Sequence, residues 1–234
     1  RLGANHAGPI DDEVQLVRVD GMDGAPIALL IHYACHGTSL GGRNSKVSGD
    51  WMGRMVATVE EQLPGVGTMF VQGAAGDINP RVVGGLEGYV DDIDVTHALG
   101  DEIAAEVLRV YARMEDASRR DDTRGRERIE VVSRVIQLPR AYRELFDDFT
   151  ATTVPVTTTA ARVGGVMWVT FPGEMFHAIG KRVKTACPAA VGHVIGYANG
   201  YMGYFPEQSA FAEGGYVGTP LAEVRGAYNA IRVV

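Results

Sequence analysis

Residues 29–40, LLIHYACHGTSL, place two histidines and a cysteine in an otherwise apolar run. With Ile27 and Ala28 ahead of it, the run is continuous and short, which predicts a fully buried strand. Imidazoles buried in such a strand need hydrogen-bond partners or a metal. Side chains two apart on a strand share a face. His32, Ala34 and His36 would therefore point one way, and Ile31, Tyr33 and Cys35 the other.

The flanks extend this reading. Residues 13–20 (EVQLVRVD) alternate apolar and polar and predict a strand; 21–26 (GMDGAP) are turn chemistry. Residues 37–50 (GTSLGGRNSKVSGD) form a Gly/Ser/Asn loop with no phosphate-cradling pattern. Residues 51–65 carry helical spacing at Met52, Met55, Val56 and Val59, with Asp50 as candidate N-cap. Residues 67–80 (GTMFVQGAAGDINP) read as a short strand running into a turn. Residues 96–114 are the clearest amphipathic helix, with apolar Ile103, Val107, Leu108 and Val110. Residues 115–128 (EDASRRDDTRGRER) are a solvated charged linker.

The second half is richer in β signals. Residues 129–139, 152–163, 166–174 and 191–199 read as strands and 175–187 as a helix. Residues 200–220 form a Gly/Tyr-rich tail with little periodicity. The expected fold class is α/β, a central mixed β-sheet flanked by helices, with 1–234 as a single domain.

The chain has 234 residues, 46% hydrophobic and 22% charged, an ordinary globular composition. A net charge of −7 argues against a nucleic-acid partner. The apolar runs are too short to span a bilayer. Cys35 and Cys187 imply no disulfide framework; two reduced thiols are expected, with one bridge between them as the rival. The chain opens without Met and reads as the C-terminal portion of a longer or processed chain. Signals for localisation would then be missing; the lean is cytoplasmic. An oligomer is left open.

Polar residues gather at predicted strand ends: His36 after the first quoted run, Asp77 and Asn79 after MFVQ, Glu174 after WVTFPG, and Asn199, Tyr201 and Tyr204 after HVIGYA. Strand ends are where open α/β sheets build sites. Imidazole and carboxylate are zinc ligands, although neither HExxH nor paired CxxC occurs. A capped turn or a satisfied polar group is the alternative for each residue. His97 and His193 have no motif around them and read as structural. His177, three residues after Glu174, would share a helix face with it only if the helix began there.

Four blocks in order, HYACHGTSLGGRNSKVSGD (32–50), FVQGAAGDINP (70–80), VTFPGEMF (169–176) and YANGYMGYFPEQSAFAEGGYVG (197–218), are similar to segments of the neutral/alkaline ceramidase family. The resemblance runs from about Gly8 to Tyr216 and is greatest to short bacterial representatives. It implies that His36 and Glu174 bind one catalytic Zn2+, that Tyr204 completes the metal site, and that Tyr216 donates to the developing oxyanion. Zinc would lower the pKa of a bound water to about 7, and a phenol aimed at the oxyanion could contribute a few kcal/mol. Another divalent ion would also suit this ligand set.

Three departures stand out. Asn79 occupies the place of the family's serine; its amide could position substrate or water. The family's upstream T-H-T-H-S-G-P block is absent, so a separate N-terminal fragment is a candidate source of further histidines; His6, in NHAGP, reads as a terminal residue. His32 replaces an asparagine. It would lie roughly 13 Å from His36 along an extended strand, which favours a supporting role behind the ligands or a hydrogen-bonded place in the core. Asp50 and Asp77 are candidates for the same role. Residues 140–150 are short where ceramidases carry longer helices at the substrate entrance.

The resemblance thus implies a zinc-dependent hydrolase cleaving a C–N amide bond in a small-molecule amide or lipid-like substrate. An esterase or lactonase using the same metal site, or a non-catalytic binding protein on the same fold, are the alternatives.

Overall fold

The computed structural model describes residues 8–41, 44–81, 92–118, 128–139, 153–189 and 191–213. The chain forms two compact units, one from residues 12–71 and 79–127, the other from 1–11, 72–78 and 128–234.

In the first of these, β1 (Gln15–Asp20) and β2 (Pro26–Tyr33) form an antiparallel hairpin with Leu16 opposite Ile31 and Val17 opposite Leu30. Its turn uses Gly24 at φ 81°, a conformation only glycine adopts without strain. After helix α1 (Asp50–Gln62), β3 (Gly67–Gln72) joins the far side of β2. The apolar run is thus the central strand, and Leu29 and Ile31 are fully buried. The strand stops at Tyr33, so Ala34, Cys35 and His36 lie beyond it and the expected face alternation does not reach His36.

Helix α2 (Ile93–Ser118) packs on α1. Asp92 starts it by accepting the Asp94 N–H at 2.8 Å. The buried face of α1 is Trp51, Met55 and Val59, one residue per turn; Met52 and Val56 flank it half-buried. The buried face of α2 centres on Thr96, Gly100, Ala104, Val107 and Tyr111. This line is less apolar than the sequence periodicity suggested, because close helix approach selects small residues. A Cβ on Gly100 would lie 2.5 Å from the Trp51 carbonyl oxygen.

In the other unit, β4 (Ile129–Pro139) and β5 (Thr153–Val163) form a long antiparallel ladder. Strand β6 (Val166–Thr170) pairs antiparallel with β5. The chain then makes the two-residue strand β7 (Glu174–Met175), helix α3 (His177–Ala186) and strand β8 (Val191–Ile195). Strand β8 lies parallel to β6, and α3 packs on β8 as part of the crossover that a parallel pair requires. Strand β9 (Tyr204–Phe205) pairs with β7, and α4 (Gln208–Glu213) follows. The core gathers Ala74, Val154, Val156, Met175, Ile179, Val194 and Phe205. Burying each of the larger ones contributes about 1.5–3 kcal/mol.

The architecture is mixed α/β, as the sequence predicts; among the described residues, strand pairing is divided among three sheets of three, four and two strands. Among the described residues no helix is long and apolar enough to cross a membrane. Both cysteines are free thiols.

Candidate functional site

The chain 166–174 does not run as one strand. It breaks at Phe171–Pro172–Gly173, and the segment after β8 folds over the break through main-chain bonds. Ala198 N–H donates to the Phe171 carbonyl (2.9 Å), Met202 N–H to Pro172 (2.6 Å) and Tyr197 N–H to Gly173 (3.1 Å). Glu174 N–H returns a bond to the Gly203 carbonyl at 2.8 Å. These bonds bring Glu174 and Tyr204 into register as directly opposed residues of a parallel pair.

Glycine makes the approach possible. A Cβ on Gly173 would sit 2.3 Å from the Gly203 carbonyl oxygen, and one on Gly76 would sit 2.6 Å from that of Glu174. The folded-over segment is also strained: Tyr197 (φ 55°) and Asn199 (φ 65°) both occupy the left-handed region. Asparagine tolerates that region; a bulky tyrosine does so only where its surroundings hold it.

The Glu174 side chain is buried at 7% exposure, yet two phenols reach it. Tyr201 donates its hydroxyl to Oε1, and Tyr197 is also hydrogen-bonded to the carboxylate. Their rings stack at 6.0 Å and 7°. Burial, then the charge and hydrogen bond of Glu174 and the neighbouring Tyr201, push the Tyr197 phenol well above the ordinary tyrosine range, so it stays a neutral donor.

Three residues beyond Glu174, His177 is bound twice by Asp77, which comes from a distant part of the chain. Asp77 accepts the His177 backbone N–H at 2.8 Å on Oδ1 and faces Nδ1 at 2.6 Å with Oδ2. His177 is the first residue of α3, so Glu174 and His177 lie on different elements and share no helix face. The segment carrying Asp77 is tied down by Gly76 N–H, which donates to the Met175 carbonyl at 2.8 Å.

His36 and Asn79 belong to the unit of residues 12–71 and 79–127. The indole of Trp51 donates to the His36 carbonyl at 2.8 Å, fixing its main chain. Asp50 does not cap α1 in the expected way. It opens the helix at φ 55° and turns its carboxylate back to the preceding loop. It accepts from Ser39 N–H (3.2 Å) and Ser39 Oγ, Leu40 N–H (2.9 Å) and Trp51 N–H (2.8 Å). Thr38 donates to Asn79 Oδ1 at 3.0 Å, so the loop after His36 also holds Asn79. His32 is buried in β2 opposite Gln15. His193 is buried against Trp168, with ring centroids 6.0 Å apart, and His97 is exposed on α2. Tyr216, His6 and residues 140–150 lie outside the described residues.

The structure thus pairs Glu174 with Tyr204 in one unit; His36 and Asn79 both belong to the other, where Thr38 holds Asn79. Among the described residues, no group of three or more His, Cys, Asp or Glu side chains is gathered around one metal position. In sequence, Tyr201 is one of several strand-end residues, and Tyr197 has no motif that sets it apart. The signal for both is the glycine-punctuated run GYANGYMGY, in which three tyrosines follow one buried strand.

No protein-family model and no curated protein matches the chain. Among solved structures, the neutral ceramidase from Pseudomonas aeruginosa matches with a TM-score of 0.65 at 16% identity, covering 89% of this chain and 43% of that one. A ceramidase complexed with C2 matches with a TM-score of 0.68 at 15% identity, covering 89% and 44%. The fold is therefore the mixed α/β fold of neutral ceramidases. The chain spans less than half the length of these relatives.

Proposed function

We propose that this protein is a hydrolase of the neutral ceramidase-like type, cleaving a C–N amide bond with water activated by a divalent metal ion. The observation that carries the proposal is the register pairing of Glu174 with Tyr204 on this fold. It sets a buried carboxylate beside a phenol, two oxygen donors of the kind that hold zinc or another divalent ion. Such an ion, when bound, supplies the acidity that makes water a nucleophile near neutral pH.

In this reading Glu174, Tyr204 and His36 hold the ion, and a separate N-terminal segment supplies a further histidine. Asn79 orients the substrate carbonyl or the attacking water. Tyr216 donates to the oxyanion. Asp50 supports the loop that follows His36, and His32 and Asp77 support the framework behind the ligands. The substrate is a small-molecule amide or a lipid-like amide; an ester or lactone would suit the same machinery.

The test is turnover of N-acyl amides and of matched esters, with and without a chelator, alongside zinc analysis of the purified protein. Hydrolysis abolished by the chelator and restored by zinc is expected. Turnover that ignores the chelator sinks the metal mechanism, and zinc-loaded protein inert to both substrate sets favours a binding protein.

A further inference from the structure

The phenols on Glu174 carry an inference that rests on the function just proposed. We propose that Tyr201 and Tyr197 are positioning residues: they hold the Glu174 carboxylate in one orientation, as the fixed oxygen ligand of the metal.

Three observations converge. Both phenols bond one carboxylate, with the Tyr201 hydroxyl on Oε1. The two rings stack on each other, so neither hydroxyl can swing away without breaking the pair. The backbone that aims them is strained at Tyr197 and held there by bonds to residues 171–174. A packing role alone gives no reason for this: Tyr197 and Tyr201 remain 39% and 44% exposed, while their hydroxyls are spent on a buried charge. Carboxylates that bind metals are characteristically oriented by hydrogen bonds from neighbours, and loss of such a neighbour typically weakens metal binding about 10- to 100-fold.

The experiment uses the complete protein with Tyr201→Phe, Tyr197→Phe and the double variant, which keep the stacked rings and delete the hydroxyls. Zinc affinity is measured by competition with a chromophoric chelator. The ligand-field spectrum of the Co2+-loaded protein is recorded at saturation, and the urea midpoint of metal-free protein is the control for folding. The expected result is about tenfold weaker zinc binding for each single variant and near a hundredfold for the double, with a shifted Co2+ spectrum. Wild-type zinc affinity in the variants overturns the assignment. So does weaker binding with an unchanged spectrum, which marks a general structural effect. If Tyr201→Phe does not fold, Tyr197→Phe is judged by the same two criteria. A wild-type protein that binds no divalent ion overturns the proposed function and this inference together, whereas zinc-binding wild type with indifferent variants overturns only the inference.

Discussion

Glu174 and Tyr204 face each other across a parallel ladder two residues long, each carried on a strand too short to stand alone. The ladder persists because Gly173, lacking a Cβ, lets its backbone close on the Gly203 carbonyl, and because Met175 and Phe205, the next pair, are both buried in the core.

This arrangement makes Gly173 sensitive. A methyl there would lie 2.3 Å from the Gly203 carbonyl oxygen and 2.5 Å from the Phe205 ring. Backbone cannot step aside as a flexible side chain can, so Gly173→Ala should cost more than about 2 kcal/mol in urea unfolding. Gly53, inside α1 with nothing within 4 Å of its would-be Cβ, is the control. Gly53→Ala should stabilise by about 0.5–1 kcal/mol, because alanine restricts the unfolded chain and favours helix. Equal effects at the two sites would refute the crowding argument.

Asp77 makes a second prediction. Its two oxygens serve two donors on one residue, the main-chain N–H and Nδ1 of His177. Asp77→Ala leaves both without their acceptor and should cost about 1–3 kcal/mol. Asp77→Asn keeps an acceptor for the main chain and should cost less. The asparagine amide would also meet Nδ1 as a donor, reversing the imidazole tautomer. Nitrogen NMR of His177 should therefore show the ring proton on Nδ1 in wild type and on Nε2 in Asp77→Asn; the same tautomer in both would contradict the bonding described.

Much of this framework is readable in the sequence, for identifiable reasons. Strands β4 and β5 are rich in β-branched and apolar residues and form close to their expected spans, whereas β6 and β8 start where expected but stop early, at Thr170 and Ile195, where the chain turns into Phe171–Pro172–Gly173 and Gly196. The short strands β7 and β9 are not readable, because two residues carry no period. They exist through long-range bonds to the Gly203 and Phe205 carbonyls. Similarly, Phe176 lies in extended backbone, and α3 starts at His177 rather than Met175 because Phe176 N–H is taken by the Phe205 carbonyl at 3.1 Å. Glu174 and Tyr204 stand out as candidates from their motifs. Tyr197 and Tyr201 as partners of Glu174 do not, since that depends on left-handed backbone at a tyrosine, which propensity disfavours.

Asp50 illustrates the same limit and yields a third prediction. A short polar residue before an apolar helix reads as a cap, but φ 55° turns its carboxylate onto Ser39 and Leu40. Asp50→Ala loses the acceptor and places a Cβ residue without a compensating local bond in left-handed backbone. Asp50→Gly loses only the acceptor. Alanine should therefore be the worse variant by about 1 kcal/mol, and both should speed hydrogen exchange at the Ser39 and Leu40 amides. Exchange unchanged from wild type would show that the loop is held by other groups.

Cys35 gives a pH-dependent prediction whose sign follows from its setting. Burial, with a smaller push from the Asp50 charge, raises its thiol from 9.0 to about 12. The folded state keeps the proton where the unfolded chain releases it. The contribution of the neutral thiol to stability is therefore fully present below about pH 9 and is lost as pH rises toward about 12. Each unit of pH in that window should lower wild-type stability relative to Cys35→Ala by up to about 1.4 kcal/mol, roughly 4 kcal/mol in all. The constant offset from the smaller side chain drops out, because only the change with pH is compared. Urea unfolding of both proteins from pH 8 to the alkaline limit of folding supplies the two curves. Curves that converge above pH 9 are expected; curves that stay parallel would mean that water reaches the thiol and that the strand end before His36 is open.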